Sequence, residues 1–221
     1  MIFSHPAMSS VIEIGAANVE TLVIENRNFF YELVSDIQEQ INGNDGQTTL
    51  YDGVKILELA KYAEIIDSYI GFSLNRKTLL TKITSELERK AMSESVYLET
   101  HDLLMKTSNY LEELFSDFSC NLEYEKLSIG SILKAVGIHI CEDYAEPLEK
   151  IIDYMELVRE FDRDRLFIFI NLRSYFSAEK LELFFETVLS HEYKILLIDG
   201  FADKILRNEH RLIIDEDLCE I

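Results

Sequence analysis

The chain of 221 residues lacks several patterns that mark common classes of protein. No apolar run approaches the roughly 18 uninterrupted residues that a membrane helix needs. The first residues contain no basic stretch followed by an apolar one, so we expect no secretory signal. Only three cysteines occur, Cys120, Cys141 and Cys219, and none forms a C-x-x-C pair. They predict buried thiols in the reducing cytoplasm rather than disulfides or a zinc site.

Common catalytic motifs are missing as well. The sequence has no G-x-x-x-x-G-K-[ST] phosphate loop, no G-x-S-x-G and no H-E-x-x-H, and its five histidines are scattered. An apolar strand that ends in Asp199 leaves one enzymatic alternative open. That alternative is a degenerate nucleotide-dependent kinase or ATPase that uses Asp199 or Asp67. Otherwise, Asp199 is predicted to cap a helix at the end of its strand.

Basic residues are outnumbered by acidic ones. The chain has 21 Lys and Arg against 41 Asp and Glu, which gives a net charge of −20. A field of that sign repels polyphosphates, and this argues against nucleic acid as a partner. Net charge is a sum over the whole surface, however, and an oligomer can gather its basic residues on one inner face. The composition therefore does not exclude DNA.

The last quarter of the sequence predicts a buried parallel sheet. Residues 166–170 and 195–198 are continuously apolar, as a strand covered on both faces must be. Apolar residues recur at helical spacing between them, and Ser177 can cap that helix. The predicted result is a right-handed β-α-β unit, which places the chain in the α/β class.

The middle of the sequence predicts helices. Neither glycine nor proline occurs from Asn75 to Cys120. A narrow apolar stripe at four-residue spacing predicts a helix that packs along one seam, and it consists of Leu79, Ile83, Leu87 and Ala91. We expect two long helices, or one helix kinked near Ser93, and a further helix that opens at Pro147. The predicted organisation is an α/β head, residues 1–74 and 162–221, with an inserted α-helical domain, residues 75–161.

One acidic cluster stands out from the background. Ten acids lie between Glu112 and Asp153, against only three lysines. Oxygen ligands at such density suit calcium, which takes six to eight oxygens, better than zinc or copper. Two groups of these acids could converge, although a solvated acidic face is the alternative. The groups are Asp117, Glu123 and Glu125 near a predicted helix end, and Glu149 and Asp153 on one helical face.

The chain resembles the ring-forming CRISPR adaptation proteins of type II-A systems, a Csn-type family that binds the ends of double-stranded DNA. The resemblance covers most of the chain in length and order of elements, and it is strongest from about Leu166 onward. It rests on the segments Phe169-Ile-Asn-Leu-Arg-Ser-Tyr-Phe-Ser177, Leu181-Glu-Leu-Phe-Phe185, His191-Glu-Tyr-Lys-Ile-Leu-Leu-Ile-Asp199 and Arg211-Leu-Ile-Ile-Asp-Glu-Asp-Leu-Cys-Glu-Ile221.

This resemblance implies an architecture and an activity. The expected fold is a P-loop-kinase-like α/β head with a mostly parallel sheet and no working nucleotide site, plus an inserted, extended α-helical leg. A homotetramer is expected to close into a ring with calcium at the junction of head and leg, and linear double-stranded DNA is expected to thread its central opening. The family is not regarded as enzymatic. Its expected partners in spacer acquisition are the adaptation integrase proteins and the RNA-guided effector nuclease.

The resemblance also implies roles for individual residues. The calcium ligands that it suggests lie in the acidic cluster and are Asp117, Glu123, Glu125, Glu149 and Asp153. The basic residues that it suggests for DNA are Arg76, Lys77, Lys126, Lys134 and Lys150. Phosphate contacts need charge and no particular motif, so binding is expected to be independent of sequence and to weaken steeply with salt. A pure scaffold for other adaptation proteins is the remaining alternative.

Overall fold

The computed structural model describes residues 1–221, and the chain divides into two compact units. The α/β unit consists of Met1–Phe72 and Tyr144–Ile221, and the helical unit consists of Ser73–Asp143. The helical unit is thus an insertion between two parts of the α/β unit. In chain order, the elements are β1 (Ile2–Ser4), β2 (Ile12–Glu13), β3 (Val19–Ile24), α1 (Arg27–Ile41), β4 (Thr49–Asp52), β5 (Lys55–Leu57), α2 (Leu59–Tyr62), β6 (Ala63–Ile66), α3 (Lys77–Ala91), α4 (Tyr97–Phe115), α5 (Ile129–Val136), α6 (Pro147–Phe161), β7 (Leu166–Ile170), a 3-10 turn (Leu172–Ser174), α7 (Ala178–Ser190), β8 (Lys194–Asp199) and β9 (Glu209–Ile214).

A five-stranded parallel sheet forms the centre of the α/β unit. Its strand order is β6-β7-β8-β3-β9, and every neighbouring pair is parallel. All residues of β3 and β7 are buried, as are all residues of β8 except its first. A strand that is covered on both faces has a continuously apolar sequence. The predicted α/β class and the predicted buried parallel strands are therefore confirmed.

A second, antiparallel sheet packs into the same core. Its order is β2-β1-β4-β5. Phe3 of β1 and Leu50 of β4 are completely buried in a cluster that also contains Leu22 of the parallel sheet. Helix α1 contributes the three residues of its apolar stripe to this cluster, namely Phe29, Leu33 and Ile37. The helix begins after Asn26, whose side chain accepts hydrogen bonds from the first free amides.

The helical unit contains two long helices, as one of the two predicted alternatives requires. Helix α3 ends at Ala91 and α4 begins at Tyr97. Between them, the Ser93 hydroxyl donates to the Lys90 carbonyl at 2.7 Å, which satisfies one of the last carbonyls of α3. The buried Thr100 hydroxyl of α4 donates to the Ala91 carbonyl at 2.8 Å. The bond from Thr100 ties the beginning of α4 to the end of α3.

The second boundary of the insertion differs from the predicted one. The helical unit ends at Asp143, whereas the sequence placed its end at residue 161. Helix α6 belongs to the α/β unit because its apolar face is buried there: Tyr154 contacts Phe72 edge to face and donates a hydrogen bond to Glu64 of β6. The sequence indicated the helix correctly but not the surface on which it packs.

The prediction of buried cysteines is wrong. Cys120, Cys141 and Cys219 are all free and exposed. Each lies in a connecting segment outside the helices and strands, and such segments run over the surface of a protein. No helix combines the length and apolar character needed to cross a membrane.

Glu142 joins the two ends of the helical unit. Its Oε1 accepts hydrogen bonds from the Ser73 hydroxyl at 2.7 Å, the Leu74 amide at 2.6 Å, and the Asn75 amide and side-chain nitrogen at 3.1 and 2.8 Å. The Asn75 side chain in turn accepts from the Ile140 amide at 2.7 Å and donates to the Ile140 carbonyl at 3.0 Å. One carboxylate and one amide side chain thus hold the incoming and outgoing segments together.

Removing this carboxylate should destabilise the protein. Glu142→Ala leaves four donors in a half-buried site without their shared acceptor, so we expect the free energy of unfolding to fall by about 2–4 kcal/mol. Urea denaturation followed by circular dichroism measures this change. Asp143→Ala, at the adjacent position, is the matched control and should change stability by less than about 0.5 kcal/mol. Equal stabilities of the two variants would contradict this role for Glu142.

Candidate nucleic-acid interface

Charge is distributed unevenly between the two units. The helical unit contains 8 basic and 12 acidic residues, a net charge of −4, which leaves 13 basic and 29 acidic residues, a net charge of −16, on the α/β unit. The α/β unit therefore carries most of the field that repels a polyanion. A nucleic-acid interface is more compatible with the helical unit.

Helix α3 presents a basic and hydroxyl-rich face. Its residues recur at positions i, i+1, i+4 and i+5, which places them along one side of the helix. Four of them are basic, three carry hydroxyl groups and one is acidic, and they are Lys77, Thr78, Thr81, Lys82, Ser85, Glu86, Arg89 and Lys90. We call these eight residues the α3 face. At about 1.5 Å per residue, the face is about 20 Å long.

The single acid of the α3 face is neutralised locally. The Arg89 Nε donates to Glu86 Oε2 at 2.9 Å, and a second guanidinium nitrogen contacts the other carboxylate oxygen. This hydrogen bond from Arg89 lowers the pKa of Glu86, and the pairing in turn raises the pKa of Arg89. Lys77 and Lys82 are the cations of the face that lie outside this pairing, and the charge of Lys90 also acts on Glu86.

The opposite side of α3 explains why this face is turned outward. The predicted stripe Leu79, Ile83, Leu87 and Ala91 is the buried or half-buried side of the helix. Residue 130 on α5 is a glycine, and a Cβ at that position would collide with the Glu88 carboxylate of α3. The two helices therefore approach closely, and the basic positions are left on the far side.

The predicted DNA-binding residues lie in different places. Arg76 is the half-buried residue before α3, and Lys77 opens the α3 face. Lys126 is exposed in the segment before α5, and Lys134 is exposed in the last turn of α5. Lys150 is a half-buried residue of α6 and belongs to the α/β unit. Lys82, Arg89 and Lys90 were not in the predicted set, although their spacing opposite the Leu79 stripe was readable in the sequence.

The predicted calcium ligands are divided between the units. Asp117, Glu123 and Glu125 are exposed in the segment that follows α4, in the helical unit. Glu149 and Asp153 lie one turn apart on α6, in the α/β unit, and Asp153 accepts a hydrogen bond from the Tyr144 hydroxyl at 2.8 Å. Within neither unit do three or more His, Cys, Asp or Glu side chains form a group that could hold a metal ion. Since calcium takes six to eight oxygens, the residues of either unit alone do not fit it.

Helix α4 carries an apolar stripe that faces solvent. Only Thr100 is buried among its residues. Leu103, Tyr110 and Leu114 lie seven and four residues apart, on one side of the helix, and are 48%, 60% and 44% exposed. Leu98 and Met105 add a second exposed apolar pair. Exposed apolar stripes of this kind are typical of surfaces that contact other proteins.

The parallel sheet offers no phosphate site between β3 and α1. Only Glu25 and Asn26 separate the strand from the helix. Asn26 Oδ1 already accepts hydrogen bonds from the amides of Asn28 and Phe29, at 3.1 and 3.0 Å, and the Glu25 amide donates to the Ile214 carbonyl. A phosphate loop needs a longer turn with free amides at a helix N-terminus. The nucleotide-dependent alternative finds no support here.

Asp199 is buried in a charged cluster, so the prediction that it caps a helix is wrong. Its carboxylate is fully buried, with Oδ2 at 3.3 Å from Arg173 Nε. Arg173 Nη2 lies 2.6 Å from Glu209 Oε1, and Arg211 Nη2 lies 2.9 Å from the same oxygen. Burial raises the pKa of Asp199 to about 6. Asp67 is exposed just after β6, and neither aspartate has the surroundings of a nucleotide site.

Known proteins resemble most of the chain. A family model described as a CRISPR-associated protein, Csn2, matches residues 40–218. The chain belongs to the Csn2 family. Its relatives include the CRISPR-associated protein Csn2 of Enterococcus faecalis, 22% identical over 204 residues, which are 89% of this chain and 88% of that one. The Csn2 protein of Streptococcus agalactiae is 20% identical over 206 residues, which are 91% of this chain and 89% of that one.

A solved structure shares the fold. The crystal structure of Stu0660 of Streptococcus thermophilus matches with a TM-score of 0.60 and 14% sequence identity, over 97% of this chain and 74% of that one. At this identity the likeness concerns the fold alone. Membership of the Csn2 family confirms the resemblance found in the sequence and places the chain among proteins of CRISPR adaptation.

The buried position of Asp199 predicts a specific pH dependence of stability. Its pKa is about 6 in the folded chain, compared with 3.8 for a free aspartate. Between these values the folded state binds the extra proton, so the contribution of Asp199 to the free energy of unfolding should fall by about 2–3 kcal/mol as pH rises from about 4 to about 6.

Urea denaturation at several pH values checks this dependence. Asp199→Asn should flatten the fall between about pH 4 and pH 6, whereas Asp67→Asn, at an exposed position, should keep the wild-type curve. A curve for Asp199→Asn that parallels the wild type would show that Asp199 does not titrate in this range.

Proposed function

We propose that the chain is a non-catalytic protein that binds double-stranded DNA independently of sequence, through the α3 face, during CRISPR spacer acquisition. The observation that carries the proposal is the α3 face itself, with four basic and three hydroxyl residues on one side of a helix of the less acidic unit. Lysines and hydroxyl groups are typical donors to phosphate oxygens. Family membership supplies the setting of CRISPR adaptation.

The composition of the face favours phosphate contacts over base reading. Bidentate recognition of bases uses Arg, Asn or Gln side chains. The α3 face contains neither Asn nor Gln, and the guanidinium of its one arginine is held by Glu86. The three lysines act as point charges that follow the backbone of a duplex. Such binding tracks the shape and charge of DNA and not its sequence.

A single copy offers few cations against a net charge of −20, so we propose that several copies bind together. The exposed stripe of Leu103, Tyr110 and Leu114 on α4 supports self-association. A homotetrameric ring would place several α3 faces around one duplex, and a linear DNA would enter such a ring by its end. The proposed partners in spacer acquisition are the adaptation integrase proteins and the RNA-guided effector nuclease.

Calcium is a separate part of the proposal. It rests on the acidity of the segments that contain Asp117, Glu123, Glu125, Glu149 and Asp153, and neither unit alone supplies a complete coordination shell. The ion would neutralise these carboxylates and favour assembly of the ring that binds DNA. Charge reversal tests the α3 face, and chelation tests the ion.

Charge reversal on the α3 face should weaken DNA binding. We expect the double variant Lys77→Glu/Lys82→Glu to bind a linear duplex more weakly. The slope of log affinity against log salt should become shallower by about 0.9 for each phosphate that the variant no longer neutralises. Fluorescence anisotropy at several salt concentrations measures both effects.

The matched control is Lys55→Glu/Lys204→Glu, which makes the same change of charge at exposed positions of the α/β unit. Equal weakening in the two double variants would indicate a general field effect and refute the α3 interface. A variant that no longer binds DNA but still supports spacer acquisition in cells would favour the scaffold alternative.

The ring proposal is tested by mass and by DNA topology. Light scattering should give a mass near four times 25.7 kDa, and Leu103→Lys/Tyr110→Lys should lower it, because the burial of unpaired charges is unfavourable. The assembled protein should bind linear DNA and discriminate against closed circles of equal length. Equal binding of both forms would exclude threading, and a chelator that alters neither mass nor binding would exclude the role of calcium.

A further inference from the structure

A pocket of about 630 Å³ opens in the helical unit, beside the C-terminal end of α4. Its walls are the last turn of the helix and the segment that follows it. The lining contains three aromatic rings and two carboxylates but no lysine, arginine or histidine. The rings and carboxylates belong to Phe115, Phe118, Tyr124, Glu112 and Glu123.

The end of α4 folds in a way that brings the rings together. The Ser116 amide and hydroxyl both donate to the Glu113 carbonyl, at 3.3 and 2.7 Å, and so close the last turn of the helix. The Phe118 amide donates to the Phe115 carbonyl at 3.1 Å. The chain then returns, and the ring of Tyr124 lies 5.8 Å from that of Phe115 at an angle of 68°. This edge-to-face contact joins the two walls of the pocket.

The rings of this pocket are left uncovered. The side chain of Phe118 is 62% exposed and that of Tyr124 is 39% exposed. The cations of the chain that lie over aromatic rings are Lys55 and Arg159, and both are in the α/β unit. The face of an aromatic ring carries a negative electrostatic potential and attracts a cation. The pocket therefore offers ring faces that no side chain of the chain itself occupies.

The charge around the pocket is negative. Residues 112–126 contain five acids against one base, Lys126, which is exposed and does not line the pocket. Neither Glu112 nor Glu123 takes part in an ion pair. The C-terminal end of α4 adds the partial negative charge of a helix dipole. Charge complementarity therefore favours a cationic group in this pocket.

The mixture of rings and carboxylates favours one kind of cation. Two carboxylates are too few for calcium, which takes six to eight oxygens. A lysine ammonium is a strongly hydrated point charge, whereas an arginine guanidinium is planar and more weakly hydrated. The guanidinium stacks on aromatic faces and also forms paired hydrogen bonds with a carboxylate. Both of these contacts are available in the pocket.

We propose that this pocket binds an arginine side chain of a partner polypeptide. The guanidinium lies against the exposed rings of Phe118 and Tyr124 and donates hydrogen bonds to the carboxylates of Glu112 and Glu123. The pocket is a contact site for a protein, because a polyanion such as DNA supplies no cation to it. It is separate from the α3 face, which binds the phosphates in the proposed function.

The probe is an unlabelled, capped heptapeptide, Gly-Ser-Gly-Arg-Gly-Ser-Gly, titrated into the full-length protein by calorimetry. Matched peptides replace the arginine by lysine or by citrulline, which has nearly the same shape but no charge. We expect the arginine peptide to bind several-fold more tightly than either. Because Glu123 is also among the residues of the calcium proposal, a chelator is present throughout.

Replacement of a ring tests the aromatic contact. Phe118→Leu keeps an apolar side chain at an exposed position, so the fold is preserved, but it removes the ring face. We expect it to weaken binding of the arginine peptide by about two- to tenfold. Tyr31→Leu, which removes an exposed ring from α1 in the α/β unit, is the matched control and should leave binding unaltered.

Removal of charge tests the carboxylates. Glu112→Gln/Glu123→Gln should weaken binding of the arginine peptide several-fold at low salt. Glu32→Gln/Glu94→Gln makes the same change of net charge at exposed positions away from the pocket, and it should have a much smaller effect.

Several results would overturn the proposal. They are absence of binding by the arginine peptide, equal binding of the citrulline or lysine peptide, an unchanged affinity in Phe118→Leu, and equal weakening by the two pairs of glutamine substitutions. None of these measurements involves DNA or the α3 face, so their failure would leave the proposed function standing.

Discussion

The fold depends on the pairing of β6 with β7 at one side of the parallel sheet. These strands are neighbours in the sheet, although residues 63–66 and 166–170 lie far apart in sequence. Parallel neighbours always need a crossover connection, and here that connection contains the entire helical unit and α6. The Tyr69 hydroxyl reinforces the junction, since it contacts the carbonyls of Ile66 and Ile170 at 2.9 Å each. Burial of this phenol raises its pKa and keeps it protonated as a donor.

Because β6 pairs with β7 across the insertion, the two units have different roles in the structure. The sheet is built from strands at both ends of the sequence, with β3 between β8 and β9, so its core needs the whole α/β unit. The charged cluster around Arg173 and Asp199 lies in that core and serves its architecture. The helical unit contributes no strand to the sheet, and most of its surface is exposed. Its helices are therefore free to carry charged and apolar residues on their exposed sides, as the α3 face and the α4 stripe do.

Much of this organisation was predictable from local patterns. The continuous apolar runs of β7 and β8 and the stripe from Leu79 to Ala91 each identified an element and its buried side. The sequence contained less information on which elements and side chains pack together. Pro147 and the apolar residues after it indicated α6 but not the sheet that it covers, and Asp199 met Arg173 and Glu209 only through folding. The distance between the two acidic groups is likewise set by the tertiary structure, and their spacing in the sequence does not give it. Exposed cysteines in connecting segments followed from their position outside regular structure, which composition alone does not reveal.

The bonds from Glu142 and Asn75 have a consequence for how the chain can vary. The incoming and outgoing segments of the helical unit lie within hydrogen-bond distance of each other. The two ends of the insertion therefore stay close together, whatever the length of chain between them. The entropy of closing a longer loop grows only slowly with its length. Helices in this unit can therefore lengthen, shorten or be exchanged without shifting the register of the sheet. The junction is a natural point for grafting a different helical module onto the same frame.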